Sequence, residues 1–137
     1  MIKFVSMLLG LKMYVKQYHW LAKGYLEHIL ADKLEEELDD YIDEAAELYA
    51  VSHNNLISLT SAQTLGNAHS FIIENTDDKK SELDNLINLI TLVMMNCKVV
   101  AEEDNDFKQP IGDYLGRLSN LLMRKLYLID VQMKGHK

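Results

Sequence analysis

Four long segments of this chain repeat apolar residues at intervals of three and four, and the whole sequence contains one Pro and only 6 Gly. Such repeats place the apolar side chains on one stripe of a helix. The predicted helices cover 2–23, 25–52, a third segment from 78 or 81 to the acidic residues 102–106, and a fourth with Pro110 in its first turn. Helices with one apolar stripe pack most simply against one another. We therefore predict an all-α four-helix bundle that forms a single domain, residues 1–137.

The link between the second and third predicted helices, residues 53–76, is too long for a plain hairpin loop. A connection of this length can cross the bundle from one end to the other. The second and third helices would then run parallel. Residues 55–64 alternate weakly, and we predict that they form a short helix on the outside of the bundle.

Acidic residues are concentrated in the second predicted helix. Between Asp32 and Glu47 there are nine acids and one Lys, a local charge of −8, whereas the whole chain carries −7. The remainder therefore carries about +1 when His is counted as neutral. A negative surface confined to one helix favours cations over nucleic acid as its partner.

Cysteine usage and hydropathy bear on the compartment. Cys97 is the only cysteine, so no intrachain disulfide and no thiolate metal cluster can form, and we expect a buried structural thiol. Nothing points to an oxidising compartment, and we expect a cytoplasmic protein. The apolar N-terminal segment contains Lys12 and Lys16 and is read as the first helix. No apolar run approaches the ~20 residues that span a bilayer, so we expect no membrane partner.

Five residues around the first two helices have the chemistry of metal ligands: His19, His28, Asp32, Asp43 and Glu47. His28 and Asp32 are four residues apart, as are Asp43 and Glu47, so each pair lies on one face of a helix. Imidazole combined with carboxylates is the ligand set of hard or borderline metals, iron among them. Each residue alone also fits an interpretation without metal binding, in which the acids form a solvated face and His28 is a surface histidine.

The two ligand pairs cannot meet within one chain. His28 and Asp43 are separated by about 22 Å along a helix that rises ~1.5 Å per residue. The four side chains nevertheless fall within a sector of roughly 100° around the helix. Two antiparallel copies crossing near Leu38 would bring His28 and Asp32 of one chain to the acid pair of the other. His19 would complete each of two equivalent sites.

Three short motifs in this region resemble those of the Dps family, the mini-ferritins. They are HWLAKG at 19–24, HILAD at 28–32 and DEAAE at 43–47. The resemblance implies a ferritin-like bundle that oxidises Fe(II) at a site between subunits, with His19, His28 and Asp32 from one subunit and Asp43 and Glu47 from its two-fold partner. It implies peroxide or dioxygen as oxidant and a shell, commonly of twelve subunits, that stores ferric mineral.

The chain also departs from the family pattern. Leu48 stands where an Arg usually follows the last motif, and the gap between Gly24 and His28 is about one helical turn shorter than expected. These departures favour an alternative function, a ferritin-like assembly or interaction module with little or no iron chemistry. The Lys-rich N-terminal extension that many members use for DNA is missing, so we expect no DNA binding.

Overall fold

The computed structural model describes residues 2–52, 61–103 and 107–133, and over these residues the protein is all-helical, without a strand. The helices are α1 Ile2–Leu21, α2 Tyr25–Ser52, α3 Ser61–Asn75, α4 Glu82–Ala101 and α5 Lys108–Leu128, followed by a π-helical turn at Ile129–Met133. The predicted all-α bundle is confirmed. The fourth predicted helix is α5, and Pro110 lies in its first turn as expected.

Helices α1, α2, α4 and α5 form the bundle, in which α1 packs against α2 and α4, and α5 packs against α4 and α2. Side-chain contacts give the direction of each neighbour. Lys12 of α1 forms an ion pair with Asp39 of α2, and His19, further along α1, lies near Asp32, which is earlier in α2. The two helices therefore run antiparallel. The Tyr14 hydroxyl, in the second half of α1, donates to the carbonyl oxygen of Glu82 at the start of α4 at 3.3 Å, so this pair is antiparallel as well.

Two contacts fix α5 against α2 in the opposite direction. The Tyr114 hydroxyl donates to the carbonyl oxygen of Tyr41 at 2.6 Å. The Lys125 Nζ lies 2.6 Å from the Glu37 Oε1, although Lys125 is buried among apolar side chains. Because α1 is antiparallel to both α2 and α4, these two helices run parallel, as the long connection predicted.

The crossover contains the helix α3, which the structure describes from Ser61 to Asn75. The short helix predicted over 55–64 falls mainly on residues that lie outside the described part of the chain, and its last four residues, 61–64, belong to α3. Ala68 and Phe71, three residues apart, are the buried apolar residues of α3. They lie against Gly10 of α1.

The predicted apolar stripes form the core, with three exceptions. The buried residues include Leu8 and Leu11 of α1 and Leu34 and Leu38 of α2, as expected, and Cys97 is buried as a structural thiol whose pKa is raised by burial. The spacing of three and four also places Leu21, Leu26 and Ile29 on the inner stripes, and this prediction is wrong. They lie exposed where α1 ends and α2 begins, because the bundle core does not extend to that end of the hairpin.

Helix α4 is the one described helix that is long and apolar enough to cross a membrane, by length and composition only. No such run was predicted from the sequence. In the bundle α4 contributes seven buried residues to the core. Core helices of soluble proteins can have the same length and composition, so α4 is not assigned to a membrane.

An exposed ion pair links α2 and α5 next to the Tyr114 contact. The Arg117 guanidinium binds the Glu44 carboxylate with both terminal nitrogens, one of them at 3.0 Å, and this holds the pKa of Glu44 below its usual value of 4.5. A carboxyl whose pKa is lower in the folded state stabilises the fold above its unfolded pKa. That stabilisation is lost as the pH falls through the folded value.

We predict that Glu44→Gln and Arg117→Gln each remove the same pH-dependent part of stability. In urea unfolding, the parent should lose more free energy of unfolding than either variant when the pH is lowered from about 7 to about 3. Because the pair is exposed, the difference should be below about 1 kcal/mol and should shrink in high salt. Parallel pH profiles for the parent and both variants would contradict this.

Gly10 permits the close approach of α1 and α3. A Cβ at this position would lie 3.0 Å from the Ala68 carbonyl oxygen and 3.1 Å from Cδ2 of Phe71. We predict that Gly10→Ala destabilises the protein by about 1–3 kcal/mol in urea unfolding, because it overpacks this contact.

The matched control is Gly116→Ala on α5, where a Cβ would meet no described atom within 4 Å. Adding Cβ there should stabilise the helix by ~0.5–1 kcal/mol. Equal effects of the two substitutions would show that the α1–α3 contact is not tightly packed.

Candidate metal centre

The antiparallel α1–α2 hairpin brings two histidines into contact. His19 lies in the last turn of α1 and His28 in the first turn of α2, and their Nε2 atoms are 3.2 Å apart. The ring centroids are separated by 4.3 Å. As neutral imidazoles, one ring donates this hydrogen bond and the other accepts it. The distance also suits two nitrogens bound to one ion at ~2.1 Å, since neighbouring ligands of such an ion lie about 3 Å apart.

Two carboxylates flank this histidine pair. The Asp32 Oδ1 is 3.8 Å from the His19 Nε2, and the Asp32 side chain is 61% exposed. On the other side of the same ring, the Glu35 Oε1 is 4.0 Å from Nδ1, and the Glu35 side chain is only 17% exposed. Both separations are longer than a hydrogen bond, so the two carboxylates lie near the His19 ring without bonding to it.

Glu35 is a residue that sequence reasoning missed. Its Oε1 is buried and has no hydrogen-bond partner among the described residues, and it lies 4.0 Å from the His19 Nδ1. The signal was present in the spacing. His28, Asp32 and Glu35 follow one another at four and three residues, which places them on one side of α2.

Asp43 and Glu47 lie exposed on the second half of α2, about 22 Å along the helix from His28. The structure thus brings His19, His28 and Asp32 together and leaves the acid pair apart. Within the described residues of a single chain, no group of three or more His, Cys, Asp or Glu side chains is arranged to hold a metal ion. The histidine cluster contains three of the five predicted ligands.

Large apolar side chains close to the two histidines in sequence are exposed. Tyr25 is 77% exposed and Trp20 is 65% exposed, and Leu21 and Ile29 are exposed as well. At the far end of α2, Val51 is exposed as well. Tyr25 and Ile29 share the helical sector of the predicted ligands, and Val51 lies about 40° beyond its edge, so the ligand face of α2 is acidic in the middle and has apolar side chains near both ends. Contiguous exposed apolar groups mark interaction surfaces.

The middle of this face carries concentrated negative charge. Asp39 is offset by its ion pair with Lys12, while Glu36 and Asp40 are exposed carboxylates near the centre of the helix. Two such faces would repel each other unless cations lay between them. A close contact between copies along α2 therefore depends on what neutralises these acids.

We predict that Glu36→Cys forms an interchain disulfide under mild oxidation, because an antiparallel pair crossing near Leu38 places this position close to its copy. Non-reducing gels should show a covalent dimer. The control is Glu74→Cys on the exposed side of α3, and both proteins retain the buried Cys97. If the two variants cross-link at equal rates, the pairing of α2 helices is not supported.

Comparison of the chain with protein-family models, with curated proteins and with solved structures gives no match in any of the three.

Proposed function

We propose that this protein is an iron-oxidising and iron-storing mini-ferritin whose ferroxidase site forms between two subunits across a two-fold axis. The observation that carries the proposal is the 3.2 Å contact between the imidazoles of His19 and His28 beside the Asp32 carboxylate. Asp43 and Glu47 of the partner subunit would complete the ligand set. Each dimer would contain two equivalent sites.

Fe(II) is the substrate in this proposal. Neutral imidazoles and carboxylates suit ferrous iron, and the additional carboxylates of the partner subunit stabilise the more highly charged ferric product. With peroxide as oxidant, two ferrous ions give one electron each, the O–O bond breaks, and two protons complete two water molecules. Glu35 would act as a positioning residue that keeps the His19 Nε2 directed at the ion.

The surface of α2 supports the pairing that the site requires. Two antiparallel copies would cover Tyr25 and Ile29 of one chain with the region of Val51 in the other. This removes exposed apolar area from water. The same antiparallel pairing brings the histidine cluster of one chain to the acid pair of the other. One geometry therefore accounts for the ligands and for the exposed apolar ends.

Storage needs a closed assembly, and we propose a hollow homo-oligomer of about twelve subunits, on the basis of the motif resemblance alone. Acids on the second helix would line the path or cavity that ferric iron enters. Duplex DNA is not a partner in this proposal, since a formal charge of −7 disfavours contact with phosphates.

We predict that Asp43→Ala and Glu47→Ala each reduce the initial rate of ferrous oxidation by about tenfold or more, with peroxide or dioxygen as oxidant. Both side chains are exposed, so the helical circular dichroism and the unfolding midpoint should stay close to those of the parent. The control is Asp113→Ala, an exposed carboxylate on α5. Parent rates in both α2 variants would remove the proposed site.

Mixing variants tests whether the site is shared. Exchanged dimers of His28→Ala and Asp43→Ala chains contain one intact site, so complete exchange should restore roughly a quarter of the parent sites. Asp43→Ala mixed with Glu47→Ala should restore none, because both changes damage the same half of every site. Equal recovery in the two mixtures would contradict an inter-subunit site.

The exposed apolar groups also favour the second candidate, an assembly module with little or no iron chemistry. Trp20, Leu21 and Tyr25 would form an interface whether or not iron binds. In that case the purified protein would assemble fully in chelator and oxidise no Fe(II). Activity in the parent and its loss in the α2 variants decide between the two.

A further inference from the structure

A second candidate site lies on the other side of α1 from the histidine pair. A cavity of about 260 Å³ opens between the end of α1, the turn before α4 and the first turn of α4. It is lined by Tyr14, Gln17, Tyr18, Leu21, Thr76, Asp78, Lys80, Glu82 and Asn85. Pockets for drug-sized ligands measure roughly 300–1,000 Å³, so this cavity suits a smaller molecule.

Hydrogen bonds hold the rim of this cavity in place. The Asn85 side chain accepts from the Asp77 backbone N–H and donates to the Asp77 carbonyl oxygen, both at 3.0 Å. The Asp77 carboxylate accepts from the Lys79 N–H at 2.9 Å, and the Ser81 hydroxyl caps α4 by accepting from the Asp84 N–H at 3.1 Å. The turn is therefore preformed, which lowers the ordering cost of binding a ligand.

The lining of the cavity combines aromatic groups with a net negative charge. Asp78 and Glu82 contribute two carboxylates and Lys80 one ammonium group. Burial raises the pKa of Tyr14 and of Tyr18, so both phenols stay neutral and add no further charge. Leu21 and the two aromatic rings supply apolar surface. A ligand that fits this lining has a positive charge and an apolar body.

Other ligand classes fit the lining less well. A small anion at the start of α4 would meet the carboxylates of Glu82 and Asp78. A divalent metal ion prefers several clustered oxygen or nitrogen ligands, and the described residues hold no such group of three His, Cys, Asp or Glu side chains. Aromatic rings beside carboxylates are the usual surroundings of alkylammonium groups.

We propose that the cavity between the end of α1 and the start of α4 binds a small alkylammonium ion of about the size of choline. The Glu82 and Asp78 carboxylates attract the charge, and Tyr14 and Tyr18 contact its methyl or methylene groups. This proposal is independent of iron oxidation, since it uses none of the five predicted iron ligands.

Calorimetric titration of the full chain with choline tests the proposal. The matched neutral probe is 3,3-dimethylbutan-1-ol, which has a similar shape without the charge. We expect choline to bind roughly five- to thirtyfold more tightly than the alcohol. Equal affinities, or no choline binding at millimolar concentrations, would overturn the proposal.

Variants locate the binding. Glu82→Gln should weaken choline binding several-fold, whereas Glu102→Gln, an exposed acid at the opposite end of α4, should leave it unchanged. Tyr14→Phe keeps the ring and should retain most of the affinity, while Tyr14→Leu should lose it. Equal effects of the two acid variants, or of the two Tyr14 variants, would place the binding elsewhere, as would tight Mn²⁺ binding that displaces choline.

Discussion

The fixed rise of an α-helix is the constraint on which the rest of this structure depends. Helix α2 is 28 residues long and its two ligand pairs are separated by about 22 Å, a distance that no side-chain rotation can close. A single chain therefore holds only part of the proposed ligand set at each end of this helix. Any chemistry that needs both halves requires a second copy, and the sector shared by His28, Asp32, Asp43 and Glu47 allows that copy to lie antiparallel.

The connection between α1 and α2 determines what the first half of the site looks like. Helix α1 ends at Leu21 and α2 begins at Tyr25, so the short connection places His19 directly against His28. The same tight reversal carries Trp20 and Tyr25 past the end of the core, where they remain exposed. The contact between the two histidines and the exposure of Trp20 and Tyr25 therefore have one geometric origin, the short connection between α1 and α2.

The spacing of apolar residues predicted most of the fold, because apolar stripes on several helices are stable only when they are buried against one another. It failed at the start of α2. Leu26 and Ile29 keep the spacing of core residues but remain exposed, and together with Lys125 and Leu128 of α5 they line an open pocket instead of a packed core. Periodicity also cannot place a contact between helices. Glu35 looked like one more acid of a solvated face, and only the packing of α1 brings it within 4.0 Å of the His19 Nδ1. Lys125 was hidden in the same way, since its partner Glu37 lies on another helix.

The acidic centre of α2 separates the two candidate functions on physical grounds. In a pure assembly module, Glu36 and Asp40 of two copies would face each other at the axis and oppose the association that the apolar ends favour. In the proposed mini-ferritin, metal ions at the two sites would neutralise Asp43 and Glu47 and so lower the total negative charge of the interface, while Glu36 and Asp40 would keep their charge. Binding of the ions and association of the subunits then strengthen each other, because an ion that binds only the dimer stabilises the dimer. The charge pattern thus favours association that is coupled to the binding of cations over association alone.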